Sequence, residues 1–260
     1  MNLDYLVQDI VDSELNNGIK KHISKIHPEI NFRYNSFNIC VGNQSSSKTT
    51  SVLKELIKLS LIENDYHLIV YVTNNDSDDT FNSLKSYITI PIVKTDYQKA
   101  EKQFEKLFQL KDAYNSIVDN NLSDSEDSDE EEKNKSLLDA LNVEDFSKKR
   151  LHTFILFDDA SFIFDKNTKS NFKRWLTQCR HFNITVFCNI QIWNSMDPKL
   201  KSQLSSVFLF GGFSRERLQY IYRQIPIDLT FEEFWNVYIQ LQKYEKLIID
   251  CIDGTIKHSI

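Results

Sequence analysis

The chain has 260 residues, of which 41% are hydrophobic and 26% charged, and a formal net charge of −6. That length supports a full hydrophobic core, near the upper size of a single domain. No apolar run approaches membrane-spanning length, and Met1-Asn-Leu-Asp-Tyr-Leu lacks the basic start and apolar core of a signal peptide, so one soluble intracellular domain is expected.

In chain order, Leu3, Leu6, Val7, Ile10 and Val11 fall at helical spacing. Residues 1–35 are therefore expected to form a helical segment packed on the main domain, which spans 36–260. The apolar run Phe37-Asn-Ile-Cys-Val41 reads as a strand. It leads into Gly42-Asn-Gln-Ser-Ser-Ser-Lys-Thr-Thr50 and then a helix over about 49–63. Strand, small-residue loop and helix N-terminus form the arrangement that cradles a nucleotide's phosphates. Backbone N–H groups of Gly42, Asn43, Gln44, Ser45, Ser46, Ser47 and Thr50 would surround the anion, Lys48 would reach the terminal phosphates, and the Thr49 hydroxyl would bind Mg²⁺. The usual spacing has glycine where Ser47 stands, and glycine lets the backbone approach closely. Taken alone, the string also satisfies a serine-rich turn capping an ordinary helix.

Further along come a strand at 67–73, an extended piece at 88–93 and a helix at 97–118. The segment Ser123–Glu132 holds seven of the acidic residues, which leaves +1 on the rest of the chain. A disordered acidic insertion is expected over about 119–136, because such a block buries no apolar surface. Its serines among acids suit an acid-directed kinase. A helix is expected at 137–146, then a strand at 153–158, Phe154-Ile-Leu-Phe-Asp-Asp159, ending in two carboxylates. The C-terminal end of a buried parallel strand is where an open α/β sheet places its ligands. Asp158 would hold Mg²⁺ and Asp159 would orient or deprotonate the attacking water.

A helix at 168–181 precedes a strand at 184–190, whose tip Asn189-Ile190-Gln191 offers Gln191 as a sensor of the γ-phosphate or the attacking water. The remaining expectations are a helix at 198–204, a strand at 206–210, helices at 214–224 and 230–242, and a terminal hairpin turned at Asp253-Gly254. Cys40, Cys179, Cys188 and Cys251 are scattered, without the close pairing of zinc or redox sites, and read as reduced residues, three of them in strand-like runs. Repeated β-α-β units give the fold class: a three-layer α/β/α P-loop NTPase domain with a mainly parallel central sheet and a C-terminal β-hairpin.

The strings Phe154-Ile-Leu-Phe-Asp-Asp-Ala160, Cys179-Arg-His-Phe-Asn-Ile184, the strand ending at Gln191, Ser206-Val-Phe-Leu-Phe210 and Arg217-Leu-Gln-Tyr220 together resemble the poxvirus-type DNA-packaging ATPases of large DNA viruses and virophages. These belong to the FtsK/HerA group of DNA-pumping motors. The resemblance runs from about Phe37 to the C-terminus and is strongest from Phe154 to Ile225. It implies ATP hydrolysis with Mg²⁺ that drives viral double-stranded DNA, without sequence preference, into a preformed capsid by a homo-oligomeric ring. It also implies capsid partners and a place at viral assembly sites in the host cytoplasm or with the virion. Two departures stand out. Ser47 replaces the loop glycine, and Lys199 and Lys201 occupy the region where the family tends to carry an arginine reaching a neighbouring subunit. That trans-acting role is open among Lys199, Lys201, Arg180, Arg215 and Arg217. Two other classes share the loop: a nucleotide or nucleoside kinase, and a degenerate NTP-binding scaffold of a viral assembly.

Overall fold

The segment Phe37–Val41 is apolar on both faces of an extended chain apart from Asn38, and it becomes β1, buried along its whole length. The computed structural model describes residues 30–62, 66–75, 77–119, 128–141, 151–164 and 171–259. Around β1 are assembled the strands β2 (Tyr66–Val72), β3 (Ile92–Thr95), β4 (His152–Phe157), β5 (Ile184–Ile190), β6 (Ser206–Phe210), β7 (Lys246–Asp250) and β8 (Ile256–Ser259). Their order across the sheet is β3-β2-β4-β5-β1-β6-β7-β8. Strands β1 to β6 are mutually parallel, while β7 and β8 add an antiparallel hairpin on β6.

Strand alternation divides the core between the two faces. On one face Cys40, Phe154, Leu156, Phe187 and Phe208 pack against helix α1 (Lys48–Leu61) through Val52, Leu53, Leu56 and Leu59, and against Phe81 of α2 (Asp79–Leu84). On the other, Ile39, Val41, Ile155, Phe157 and Val186 meet α3 (Tyr97–Asp119), α5 (Phe172–Gln178), α7 (Arg215–Tyr222) and α8 (Phe231–Tyr238). Two further helices are α4 (Ser128–Leu141) and the one-turn α6 (Pro198–Lys201). Each fully buried leucine or phenylalanine contributes roughly 1.5–3 kcal/mol of transfer free energy, so both faces are strongly held. The three-layer α/β/α architecture with its mainly parallel sheet and terminal hairpin is the one the sequence predicts.

The acidic segment differs from expectation. Residues 128–136, expected to lie in a disordered insertion over 119–136, belong to α4, which begins inside the acidic block and ends at Leu141. Glutamates favour a helix N-terminus, and the following Lys, Leu and Ala residues are good helix formers, so local propensity outweighs the lack of apolar surface. Residues 120–127, and the amphipathic stretch at 3–11, lie outside the described residues. Other boundaries shift too. The pairing piece of β3 is 92–95 rather than 88–93, and α8 stops at Tyr238, four residues before the expected end. The start of α8 is a capping box in which the Thr230 hydroxyl accepts from Glu233 N–H and the Glu233 carboxylate accepts from Thr230 N–H.

Candidate functional site

The topology places the ends of β1, β4, β5 and β6 along one edge of the sheet, with β5 between β1 and β4. The loop after β1 is shaped by contacts that only small residues permit. A Cβ added at Gly42 would lie 2.5 Å from Ser46 Oγ and 2.8 Å from Phe210 Cβ, so this glycine is required by close packing. Gly42 N–H donates to the carbonyl of Ile190 at 3.3 Å, and Asn43 Nδ2 donates to Gly212 O at 2.9 Å, which ties the loop to the ends of β5 and β6. Ser45 and Ser47 have φ of 61° and 66°, the left-handed region that favours glycine. Ser47 is also the N-cap residue of α1, and its side chain makes no capping bond. The usual glycine is thus a conformational requirement that Ser47 meets at a cost of about 1–2 kcal/mol.

Lys48 opens α1 and folds over the loop, its ammonium donating to Gly42 O at 3.0 Å and Asn43 O at 2.8 Å. Burial lowers its pKa, with Cys40, Asp158 and Asp159 acting in the opposite sense. The first turn of α1 contains no acidic residue, so the positive end of its dipole is not neutralised locally. Gln44 and Ser45 are exposed on the outer loop, and Ser46 and Thr50 are half-buried.

Thr49, one residue on, faces the end of β4. Its hydroxyl donates to Asp158 Oδ1 at 2.6 Å, and the buried Asn189 donates from Nδ2 to both Thr49 Oγ1 at 3.1 Å and Asp158 Oδ1 at 3.0 Å. Asp158 is fixed through its backbone as well, with its N–H on Val72 O at 2.9 Å and its carbonyl accepting from the Tyr97 hydroxyl. Its second carboxylate oxygen lies 3.4 Å from the Tyr71 hydroxyl, which donates to Asp78, the N-cap of α2. Burial, with help from Asp158, raises the pKa of both tyrosines, so they remain protonated donors. Asp159 is exposed, has a φ of 52°, and accepts from Ser161 Oγ at 3.0 Å. Two adjacent carboxylates therefore have distinct settings: Asp158 faces Thr49 from a framework of hydrogen bonds, and Asp159 projects into solvent.

Gln191, the residue chosen from sequence at the tip of β5, is half-buried one position beyond the strand's end. The polar side chain that joins Thr49 to Asp158 is Asn189, two residues earlier. It is 0% exposed, and its Oδ1 has no hydrogen-bond partner. Sequence reasoning passed over it although it stands in the same string. A buried amide near the C-terminal end of a mainly apolar strand, in register with Cys40 of β1, is the signal that marks it. Tyr71 and Tyr97 carried no such signal, since aromatic residues are ordinary in a strand and on a helix face.

The structure separates the five candidate cations. Arg180 lies at the opposite edge, where its guanidinium donates to Gln203 O at 3.0 Å and Ser205 Oγ at 3.1 Å, bracing the start of β6. Lys201 is buried, donates to Gln224 Oε1 at 2.8 Å and lies over the rings of Trp193 and Tyr220. Lys199 is exposed on α6 in the crossover from β5 to β6. Arg215 and Arg217 follow the end of β6, on the same edge as the loop. Arg215 pairs with Glu232 and lies against Phe231 and Trp235, while Arg217 is exposed with its guanidinium 4.9 Å from the Phe213 ring centroid. Of the two, Arg217 has the less constrained head group.

No protein-family model matches the chain, and no curated protein matches it. Solved structures do. The genome packaging NTPase B204 from Sulfolobus turreted icosahedral virus 2, in complex with ATP-gammaS, superposes with a TM-score of 0.56 over 87% of this chain and 97% of that one, at 18% identity. B204, the DNA-packaging ATPase from Sulfolobus turreted icosahedral virus, gives 0.56 with the same coverage at 16% identity. EssC (ATPases 2 and 3) from Geobacillus thermodenitrificans gives 0.57 at 10% identity, over 86% of this chain and 39% of that chain. With strand order, phosphate-type loop and strand-end carboxylate all in place, the chain has the P-loop NTPase fold that these packaging and EssC ATPases share.

Proposed function

We infer that this protein is an ATP-hydrolysing motor that moves viral double-stranded DNA into a preformed capsid. The observation that carries the chemistry is the Thr49–Asp158 contact of 2.6 Å, bridged by Asn189, beside a loop whose amides and Lys48 suit a phosphate chain. The packaging role is supported by the likeness of fold to B204 over nearly all of that chain, together with the family resemblance of the strings from Phe154 to Ile225.

The donor set at Thr49 and Asp158 is all oxygen, the two groups lying 2.6 Å apart, which fits Mg²⁺. Such an ion commonly takes one or two carboxylates plus substrate phosphates. Among the described residues no group of three His, Cys, Asp or Glu residues could form a metal cage, consistent with a site completed by nucleotide rather than by protein alone. Bound there, the ion would neutralise charge on the β- and γ-phosphate oxygens. Lys48 exchanges its two carbonyl acceptors for phosphate oxygens, and the loop N–H groups fix the rest of the chain. Asp159, exposed and held by Ser161, accepts the proton of a water attacking in line. Asn189 keeps Thr49 and Asp158 in register, and Gln191, one position beyond the end of β5, would report the state of the γ-phosphate to the crossover that follows.

A closed homo-oligomeric ring would bring a neighbour's cation to each site, and Arg217 is the strongest candidate by position, followed by Arg215. DNA would be gripped through its phosphates, giving salt-sensitive binding without sequence preference. Action at viral assembly sites in the host cytoplasm, with capsid proteins as partners, belongs to the same proposal. The decisive experiment is ATP turnover measured with and without double-stranded DNA, alongside a nucleoside acceptor. Stimulation by DNA supports the motor, transfer to the acceptor supports a kinase, and nucleotide binding without turnover supports a scaffold.

A further inference from the structure

The carboxylate of Asp158 presents its two oxygens to different neighbours. Oδ1 accepts from Thr49 Oγ1 at 2.6 Å and from Asn189 Nδ2 at 3.0 Å, whereas Oδ2 faces the hydroxyl of Tyr71 at 3.4 Å. That hydroxyl is in closer contact with a second carboxylate, Asp78 Oδ2. We propose that Tyr71 is a positioning residue that couples a divalent cation at Asp158 to the start of α2, by turning one hydroxyl hydrogen between two carboxylates. The inference rests on the ATPase reading above.

A phenol has a single O–H to donate, so Asp78 and Asp158 cannot both be satisfied by it. Tyr71 is 1% and Asp78 7% exposed, and Asp158 is half-buried, so water does little to relieve the competition. The closer contact directs the hydrogen to Asp78. Asp158 Oδ2 then meets the lone pairs of the hydroxyl oxygen, and 3.4 Å is too long for a strong bond. Two negative charges on one donor also repel each other. A dication held by Asp158 offsets its charge and with it the pull on the hydrogen, which stays with Asp78. With the cation gone, Asp158 competes again. The hydrogen remains on the tyrosine throughout, and only its direction changes.

Asp78 passes the difference to α2. Its other oxygen, Oδ1, accepts from Phe81 N–H at 3.0 Å as the N-cap, and its backbone carbonyl accepts from Asn82 N–H at 2.9 Å. The Tyr71 ring stacks on Phe81 with centroids 4.6 Å apart, so one residue meets the first turn of α2 through both its hydroxyl and its ring. Tyr97, the other tyrosine at Asp158, has a different relation to it. Its hydroxyl donates to the backbone carbonyl, an acceptor whose charge is the same whether or not the carboxylate is neutralised. Because coupling between sites is reciprocal, whatever steadies α2 also tightens the hold on the cation.

Hydrogen exchange on the full chain, with AMPPCP plus Mg²⁺ and with AMPPCP plus EDTA, tests this. In the native protein Mg²⁺ is expected to slow exchange in the segment 79–84 about fivefold beyond the nucleotide alone, at the lower end of couplings between sites. Tyr71→Phe keeps the ring on Phe81 but has no hydrogen to share, so the Mg²⁺ step should vanish while the nucleotide still protects residues 42–50. Asp78→Asn retains a good capping residue and leaves the hydroxyl to Asp158 alone, so the step should vanish there too. Should Tyr71→Phe fail to fold, Asp78→Asn decides. A merely structural Tyr71 would give faster exchange in 79–84 by the same factor with and without Mg²⁺, leaving the step intact in Tyr71→Phe, and that result would overturn the proposal. A native step in Asp78→Asn, or no step in the native protein while 42–50 is protected, would overturn it as well. A native protein in which AMPPCP protects 42–50 in neither buffer would sink the ATPase reading and this inference together.

Discussion

The two edges of the central sheet differ in how they tolerate left-handed backbone. At the edge where β4, β5 and β6 begin, the non-glycine residues with positive φ, among the described residues, are Asn35 and Asn183, and asparagine adopts this region at modest cost. Both have structural duties there: Asn35 Oδ1 meets His152 Nδ1 at 2.9 Å, and Asn183 caps the 3-10 turn Cys179–Phe182. At the opposite edge the same backbone region is occupied by Ser45, Ser47, Asp159 and Tyr244. Every one of these adjoins the loop, the paired carboxylates or the turn before β7 that faces the loop. Strain is thus concentrated where the chemistry is proposed, and the quiet edge solves its turns with the residues best suited to them.

Both edges also bury polar groups, in different settings. At the quiet edge Lys111, 1% exposed, donates to Leu151 O at 2.6 Å and Thr153 Oγ1 at 3.0 Å. Burial pushes its pKa down to about 7, and His67 nearby is pushed down to about 4 by burial and by Lys111. At the active edge the buried Asn189 keeps an unpartnered Oδ1 between Thr49 and Asp158. A buried acceptor left unpaired costs about 1–3 kcal/mol, and Asn38 Oδ1 and His67 Nε2 are unpartnered as well, so it is the position of Asn189 between Thr49 and Asp158 that sets it apart.

The largest expected effect breaks the active edge outright. Lys48→Ala should lower ATP turnover by at least about a hundredfold, as removal of one preorganised charge stabiliser does, with an unchanged circular dichroism spectrum. Native turnover in this variant would remove Lys48 from the mechanism. Asn189→Ala should lower turnover by about tenfold and raise the Mg²⁺ concentration needed for half-maximal turnover, because Thr49 and Asp158 lose their common donor. If Gln191→Ala has the larger effect of the two, the strand-tip residue chosen from sequence is the more important one.

The quiet edge is probed by pH. In the folded protein Lys111 loses its proton near pH 7, whereas in the unfolded chain it keeps it to about 10.5. The unfolded state therefore binds more protons between those values, and stability contributed by this site rises with pH across that window, by up to about 1.4 kcal/mol per unit. Lys111→Met should flatten the difference in urea-unfolding free energy between pH 7 and 8.5. An unchanged slope would show that Lys111 is not neutral in the fold.

The smallest effect sharpens the contrast between edges most directly. Ser47→Gly should stabilise by about 1 kcal/mol, or 2–4 °C in Tm for a chain of this size. Asn183→Gly, at the quiet edge, should gain nothing. Equal responses would mean that strain is not concentrated at the loop.

Much of this arrangement was legible in the residues. Strand cores such as Phe154-Ile-Leu-Phe157 are apolar on both faces and read as buried parallel strands, and Gly42, Lys48, Thr49, Asp158 and Asp159 mark the ends that carry chemistry. Less legible were features set by partners distant in sequence. Gln191 was chosen over Asn189 because a strand's tip is easier to recognise than the register that places Asn189 opposite Cys40. Arg180 looked like a candidate finger until the fold placed it at the quiet edge, and Lys201 until its aromatic surroundings were seen. The groove between loop residues 43–46 and the turn 241–245 joins segments about two hundred residues apart in the chain, a meeting that no local pattern encodes.

The hold that Lys48 keeps on the carbonyls of Gly42 and Asn43 has a consequence for selectivity. Its ammonium is already satisfied by the loop, so a lone anion that offers a single weak acceptor gains little by displacing it. A polyphosphate offers several oxygens at once and engages the loop amides as it draws the lysine away. The expected consequence is a threshold, checked by titrating orthophosphate and tripolyphosphate in parallel: the polyphosphate should bind and orthophosphate should not.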